Sequence, residues 1–228
     1  MQVLKFGGSS VANADNMSKV VDIVTKAVDR DRTILVASAI SGCTDTLIKI
    51  GNLAAERDES YKELINSLQT RHHEIIRDLL PREKQDDSKE VCDTLFDSLR
   101  SIAQGVCLLG ELSPASLDAI QAFGELWSTK ILATKLASIG IATKWIDSRK
   151  IVRTINKNGK NVVDIQKTYF RVNEMVESNQ ITQLFVLPGF IASDKQGRTT
   201  TLGRGGSDYT ASLYAVGCKA RILEIWTD

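Results

Sequence analysis

Residues 33–39 read TILVASA, an uncharged run dominated by apolar and β-branched side chains. A strand with one wet face alternates in polarity; an unbroken run of this kind is what a strand buried on both faces requires. Burial on both faces means a parallel sheet covered by helices, because parallel strands need long crossovers between them. The rest of the chain supplies such crossovers. QVLKF (2–6) is a short β-type run broken by Gly7-Gly8, and Met17, Val20, Val21, Val24, Ala27 and Val28 follow at helical spacing. Residues 44–139 keep a helical pattern, interrupted by the charged PREKQDDSKE (81–90), which is expected to be an exposed connection. IATKWI (141–146), QLFVLPGF (183–190) and ARILEIWTD (220–228) read as further strands, with helices over 165–177 and 207–217 between them. FIASDKQGRTTTL reads as a hairpin turning at 194–197. The alternation predicts an α/β fold, a three-layer sandwich with a mostly parallel open sheet and helices on both faces.

Composition narrows the function by exclusion. The 228 residues carry 29 basic and 28 acidic side chains, a net charge of +1, so no field of one sign points to a nucleic acid or a membrane surface. An anionic ligand must be met by local groups. The 4 cysteines, Cys43, Cys92, Cys107 and Cys218, are scattered without CxxC spacing and are expected to be reduced thiols. The amino end has no apolar segment followed by a cleavage site, and no apolar run is long enough to cross a bilayer, so a cytoplasmic setting is expected.

Three polar turns fall where ligands gather in such folds, beyond the carboxyl ends of strands: GGSS (7–10), SGCTD (41–45) and TTTLGRGGSDYTA (199–211). Glycines let backbone N–H groups approach an anion, and a helix N-terminus behind each turn adds positive potential. Phosphate is the natural guest, with Lys5 at the strand end able to reach it. Neither GxxxxGK[ST] nor GxGxxG is present, because GRGGSD has an aspartate where the last glycine would fall. Taken alone, a glycine pair after a strand is also a tight connection, and Asp208 is also a good helix N-cap. His72-His73, neighbours pointing to different faces without a third ligand, suggest a surface role. Cys43 has no histidine beside it and reads as a passenger. Asp147-Ser148-Arg149 fits either a cleft wall or an ion pair.

Taken in order, LKFGGSSV, SAISGCTD, FGELWSTKIL, GRTTTLGRGGSDYTA and EIWTD resemble the motif set of the aspartokinases, in the amino acid kinase superfamily. The resemblance runs from residue 3 to residue 228, with no match in the charged helical block 58–112. It implies an amino acid kinase catalytic domain over 1–228, with 58–112 as a helical insertion. It also implies a chain shortened at its carboxyl end, lacking the rest of the nucleotide subdomain and the regulatory domains. The implied reaction moves the γ-phosphoryl group of ATP, with Mg²⁺, to the side-chain carboxylate of L-aspartate; a homo-oligomer is implied for the full-length protein. Lys5 and Asp208 match the catalytic pair. Thr44, Glu125, Arg204 and Ser207 match substrate contacts: Arg204 for a carboxylate, Glu125 for the α-ammonium. Lys5, Gly7, Gly8, Ser9, Thr227 and Asp228 match nucleotide and phosphate contacts, and no residue is assigned as a metal ligand. Glutamate and acetylglutamate kinases share KFGGSS in looser form; these and uridylate kinase are the alternatives within the superfamily, and a non-catalytic binding fragment is the alternative of a different class.

Overall fold

The computed structural model describes residues 1–157 and 159–227. β1 (Gln2–Phe6) leads into α1 (Ala14–Val28) and β2 (Thr33–Ala37). Five helices follow: α2 (Cys43–Ala55), α3 (Tyr61–Leu79), α4 (Arg82–Leu109), α5 (Pro114–Gln121) and α6 (Phe123–Ser138). After β3 (Thr143–Trp145) come the hairpin of β4 (Thr154–Lys157) and β5 (Lys160–Val163), then α7 (Ile165–Glu177) and β6 (Leu184–Pro188). A second hairpin, β7 (Ile191–Ser193) and β8 (Thr199–Thr201), precedes α8 (Gly206–Gly217) and β9 (Ile222–Trp226).

The main sheet has five strands in the order β3-β6-β2-β1-β9, all parallel. β2 lies inside it, buried at every residue from Thr33 to Ala37, as its uncharged sequence requires. Leu4, Phe6, Leu35, Ala37, Leu184 and Val186 face one core, which the apolar stripes of α1 to α6 complete. Val3, Ile34, Val36, Phe185 and Leu187 face the other, closed by α7 and α8. The three-layer α/β fold is therefore as the sequence implies. Alternation places Lys5 on the α8 side of β1, between Val36 and Ile225 in register.

Two expectations fail, each for a physical reason. Residues 82–90 are not a connection but the opening of α4, because Pro81 ends the previous segment in extended backbone and the charges then lie on a helix face that water covers. His72 is not on the surface: it is fully buried, its ring against those of Phe96 and Trp127, and its Nδ1 is 2.7 Å from the Leu68 carbonyl. Burial drives its pKa down to about 4. The signal was present in the spacing, since Ile65, Leu68, His72, Ile75, Ile76 and Leu79 form one stripe on α3. His73 does face outward, with Nε2 at 2.6 Å from Asp93 Oδ1. The β4–β5 hairpin is an addition the sequence did not suggest.

Candidate active site

Helices α2 and α8 begin alike. Each has a glycine in left-handed backbone at its N-cap, Gly42 at φ 76° and Gly205 at φ 72°, and neither N-cap offers a side chain to the first-turn N–H groups. A residue with a Cβ is strained in that conformation. Both helix N-termini open onto one cavity of about 390 Å³, whose wall includes Lys5, Thr44, Glu125, Ser207 and Asp208. Uncapped N–H groups and the positive ends of two helix dipoles make its mouth receptive to anions.

The side chains add charge of both signs. Lys5, buried at the end of β1, places Nζ 2.7 Å from Asp208 Oδ1 as an ion pair. Asp208 lies inside the first turn of α8 instead of at its N-cap, which removes capping as the explanation for it. Glu125, in the first turn of α6, is 3 % exposed, and its Oε2 has no hydrogen-bond partner. Burial raises its pKa to about 8, only partly opposed by the backbone N–H groups of Ala39 and Glu125 itself. A buried carboxyl with an unused oxygen on a cavity wall is suited to a cationic ligand group.

Close backbone packing sets the depth of Glu125. A Cβ on Gly124 would lie 2.6 Å from that of Ala39, so α6 approaches the turn after β2 only because Gly124 lacks one. Cys43 is buried there, its thiol pKa pushed up by burial first and Glu125 second, which leaves no nucleophile.

Other expected residues are placed differently. Gly7 donates its N–H to the Trp226 carbonyl at 3.1 Å, so that amide is committed within the sheet; a Cβ there would lie 3.6 Å from Lys5 Nζ. Gly8 lines the cavity. Ser9 and Thr227 line a neighbouring hollow of about 290 Å³ with Phe6, Asn16, Lys19 and Trp226. Arg204 is exposed; its neighbours Gly203 and Gly205 line the cavity, and its own side chain does not. Asp228 lies outside the described residues. Asp147 and Arg149 form an ion pair at 2.6 Å and take no part in the cavity.

Sequence reasoning missed two supports. Arg71, on α3, donates to the Ser41 carbonyl at 2.8 Å and to the Ala12 carbonyl at 3.0 Å, tying the ends of two turns together. No motif marks it. Phe190, on the cavity wall, holds a positive φ of 64° while its N–H donates to Thr210 Oγ1 at 3.0 Å. Such backbone costs energy in a residue with a Cβ and recurs at functional sites. A larger hollow of about 440 Å³ lies among α4, α6 and β3, lined largely by aliphatic carbon, Trp127 and Trp145. It receives none of the three glycine turns, so convergence of polar groups rather than volume identifies the site.

The model of the amino acid kinase family matches residues 1–228. Lysine-sensitive aspartokinase 3 of Escherichia coli is 33% identical, over 99% of this chain and 48% of its own length. Bifunctional aspartokinase/homoserine dehydrogenase 2 of Arabidopsis thaliana, a chloroplastic protein, is 29% identical over 99% of this chain and 25% of its own length. Among solved structures, that of E. coli aspartokinase III in complex with aspartate and ADP superposes with a TM-score of 0.89 at 31% identity, covering 100% of this chain and 49% of that one. The chain thus spans 48% of the bacterial relative and 25% of the plant one. With the whole of its length matched, this chain belongs to the amino acid kinase family.

Proposed function

We propose that the chain carries the aspartate- and phosphate-binding part of an aspartate kinase, which makes 4-phospho-L-aspartate and ADP from L-aspartate and ATP. That reaction opens lysine, threonine and methionine synthesis. The observation that carries the reading is the placement of Glu125, with its unused Oε2, on the same cavity wall as the Lys5–Asp208 pair. A substrate with an ammonium at one end and a carboxylate at the other matches those two poles.

An oxygen of the β-carboxylate attacks the γ-phosphorus, the bond from that phosphorus to the β,γ-bridging oxygen breaks, and ADP leaves with the electron pair. Aspartate's side chain has an unperturbed pKa of about 3.9 and is ionised at neutral pH, so no general base is needed. Repulsion between two anions is the barrier, and fixed positive groups lower it. Lys5 and the N-termini of α2 and α8 supply them, while Asp208 orients the Lys5 ammonium. Among the described residues no group of three His, Cys, Asp or Glu side chains could hold a metal by itself. Mg²⁺ keeps several waters and takes one or two carboxylates beside phosphate oxygens, which fits a nucleotide-borne ion near Asp208. When bound, it would neutralise phosphate charge. Ser9 and Thr227, around the neighbouring hollow, are assigned to the nucleotide side, and Arg204 to the aspartate α-carboxylate after movement of its glycine-flanked loop. Thr44 and Ser207 add hydroxyl contacts. A cytoplasmic setting and a homo-oligomer belong to the same proposal.

ADP release measured with aspartate, glutamate, acetylglutamate and UMP tests the substrate. Preference for aspartate is expected; preference for another acceptor replaces the reading with a different kinase of the family. Calorimetry with aspartate, then with ATP and Mg²⁺, separates a catalytic half-site from a piece that binds neither.

A further inference from the structure

Apart from the candidate active site, with which it shares no residue, the fold holds a hollow of about 330 Å³ lined by Arg149, Lys150, Arg153, Arg171, Ser193, Gly197 and Thr199. Four of these are cationic, and none is a carboxylate. Asp147 engages Arg149 at 2.6 Å, and Asp194 engages Arg198 at 2.7 Å. Arg153 and Arg171 donate to neutral oxygens: Arg153 to Ser193 Oγ and the Asp194 carbonyl, Arg171 to the Lys150 carbonyl. Burial and the like charge of Arg171 lower the pKa of Arg153, with Asp194 opposing them incompletely. Among the described residues, two guanidiniums and an ammonium therefore converge without an ion pair of their own, in a chain whose net charge is only +1.

We propose that this hollow binds a small anion with two adjacent phosphoryl groups, either free pyrophosphate or the diphosphate end of an ester. Guanidinium forks match phosphate oxygens in pairs, and the Thr199 hydroxyl, which accepts from Arg149, keeps its hydrogen to donate. A single phosphoryl group carries roughly 1.5–2 negative charges at neutral pH, so Lys150, Arg153 and Arg171 together match a pair better than one. Residues of a single 3₁₀ turn, Ser148–Lys150, of α7 and of the β7–β8 hairpin all contribute, so the site is assembled by the fold rather than by one exposed segment.

Pyrophosphate titrated into the protein without Mg²⁺, followed by amide NMR and calorimetry, tests this. Shifts at Ser193, Gly197 and Thr199 are expected, with affinity falling about tenfold in both Arg171→Met and Lys150→Met. Lys150 is exposed, so its variant retains the fold. Citrate, which offers comparable charge on carboxylates alone, is expected to bind more weakly; ADP binding here at least as tightly as pyrophosphate identifies the ester form, and weaker ADP binding the free anion. Shifts confined to residues 203–208 and Gly8, unchanged affinity in both variants, or equal binding of citrate would each overturn the proposal.

Discussion

Lys5 on β1 and Asp208 on α8 face each other at 2.7 Å, the ammonium 7 % exposed and the carboxylate 45 %. The strand and the helix come from opposite ends of the chain, so the pair exists only in the folded protein. Asp208→Asn keeps the shape and removes the charge that orients the ammonium. Aspartate-dependent ADP release is expected to fall on the order of 100-fold with little change in aspartate affinity, since displaced catalytic groups lose rate before binding. Steady-state kinetics check it; full turnover in the variant would exclude the role given to Asp208.

Glu125 makes both stability and binding depend on pH. Its folded-state pKa of about 8 exceeds the ordinary 4.5, so the folded protein holds a proton there that the unfolded chain has lost. The contribution is fully present below about pH 4.5 and declines as pH rises through 8, by a few kcal/mol across that span. Glu125→Gln is expected to flatten this part of the curve in thermal melts at several pH values. Aspartate affinity should run the other way, rising toward pH 8 as the carboxylate forms to meet the ammonium; calorimetry over the same range measures it.

Gly124→Ala tests the close approach of α6 to the turn after β2. The added methyl would sit 2.6 Å from the Ala39 Cβ, which no rotamer change can move away, with Cys43 Sγ and Leu47 Cδ1 at 3.5 Å behind it. Overpacking of this kind costs about 1–3 kcal/mol. A lower melting temperature and weaker aspartate binding are expected together, whereas Gly105→Ala, on α4 with open space around the added methyl, is expected to leave aspartate binding unchanged.

Arg71 holds two turns by their carbonyls, and its removal should loosen both. Arg71→Met is expected to lower kcat about tenfold. Arg71→Lys, able to keep one carbonyl but not the two-pronged geometry, should fall between. Kinetics of the pair of variants at equal thermal stability separate positioning from general destabilisation.

Much of this was legible in the chain because the relevant signals are local. TILVASA announces a doubly buried strand, and the glycine turns announce the helices that start behind them, since backbone conformation is encoded where it occurs. Asp208 shows the limit: a carboxylate near a helix start suits an N-cap, and only the left-handed Gly205 ahead of it moves the cap elsewhere. Arg71 shows another, because a long side chain reaches targets fixed by distant segments. His72 was readable from its stripe and was hidden by the polar company of α3.

The tie from Arg71 to Ser41 and Ala12 has a wider meaning for residues 58–112. That block has no motif of its own, yet it furnishes the clamp under two loops of the cavity mouth. Trimming it would remove a keystone, and substitutions on the outer face of α3 are neutral only where they leave this one guanidinium in reach.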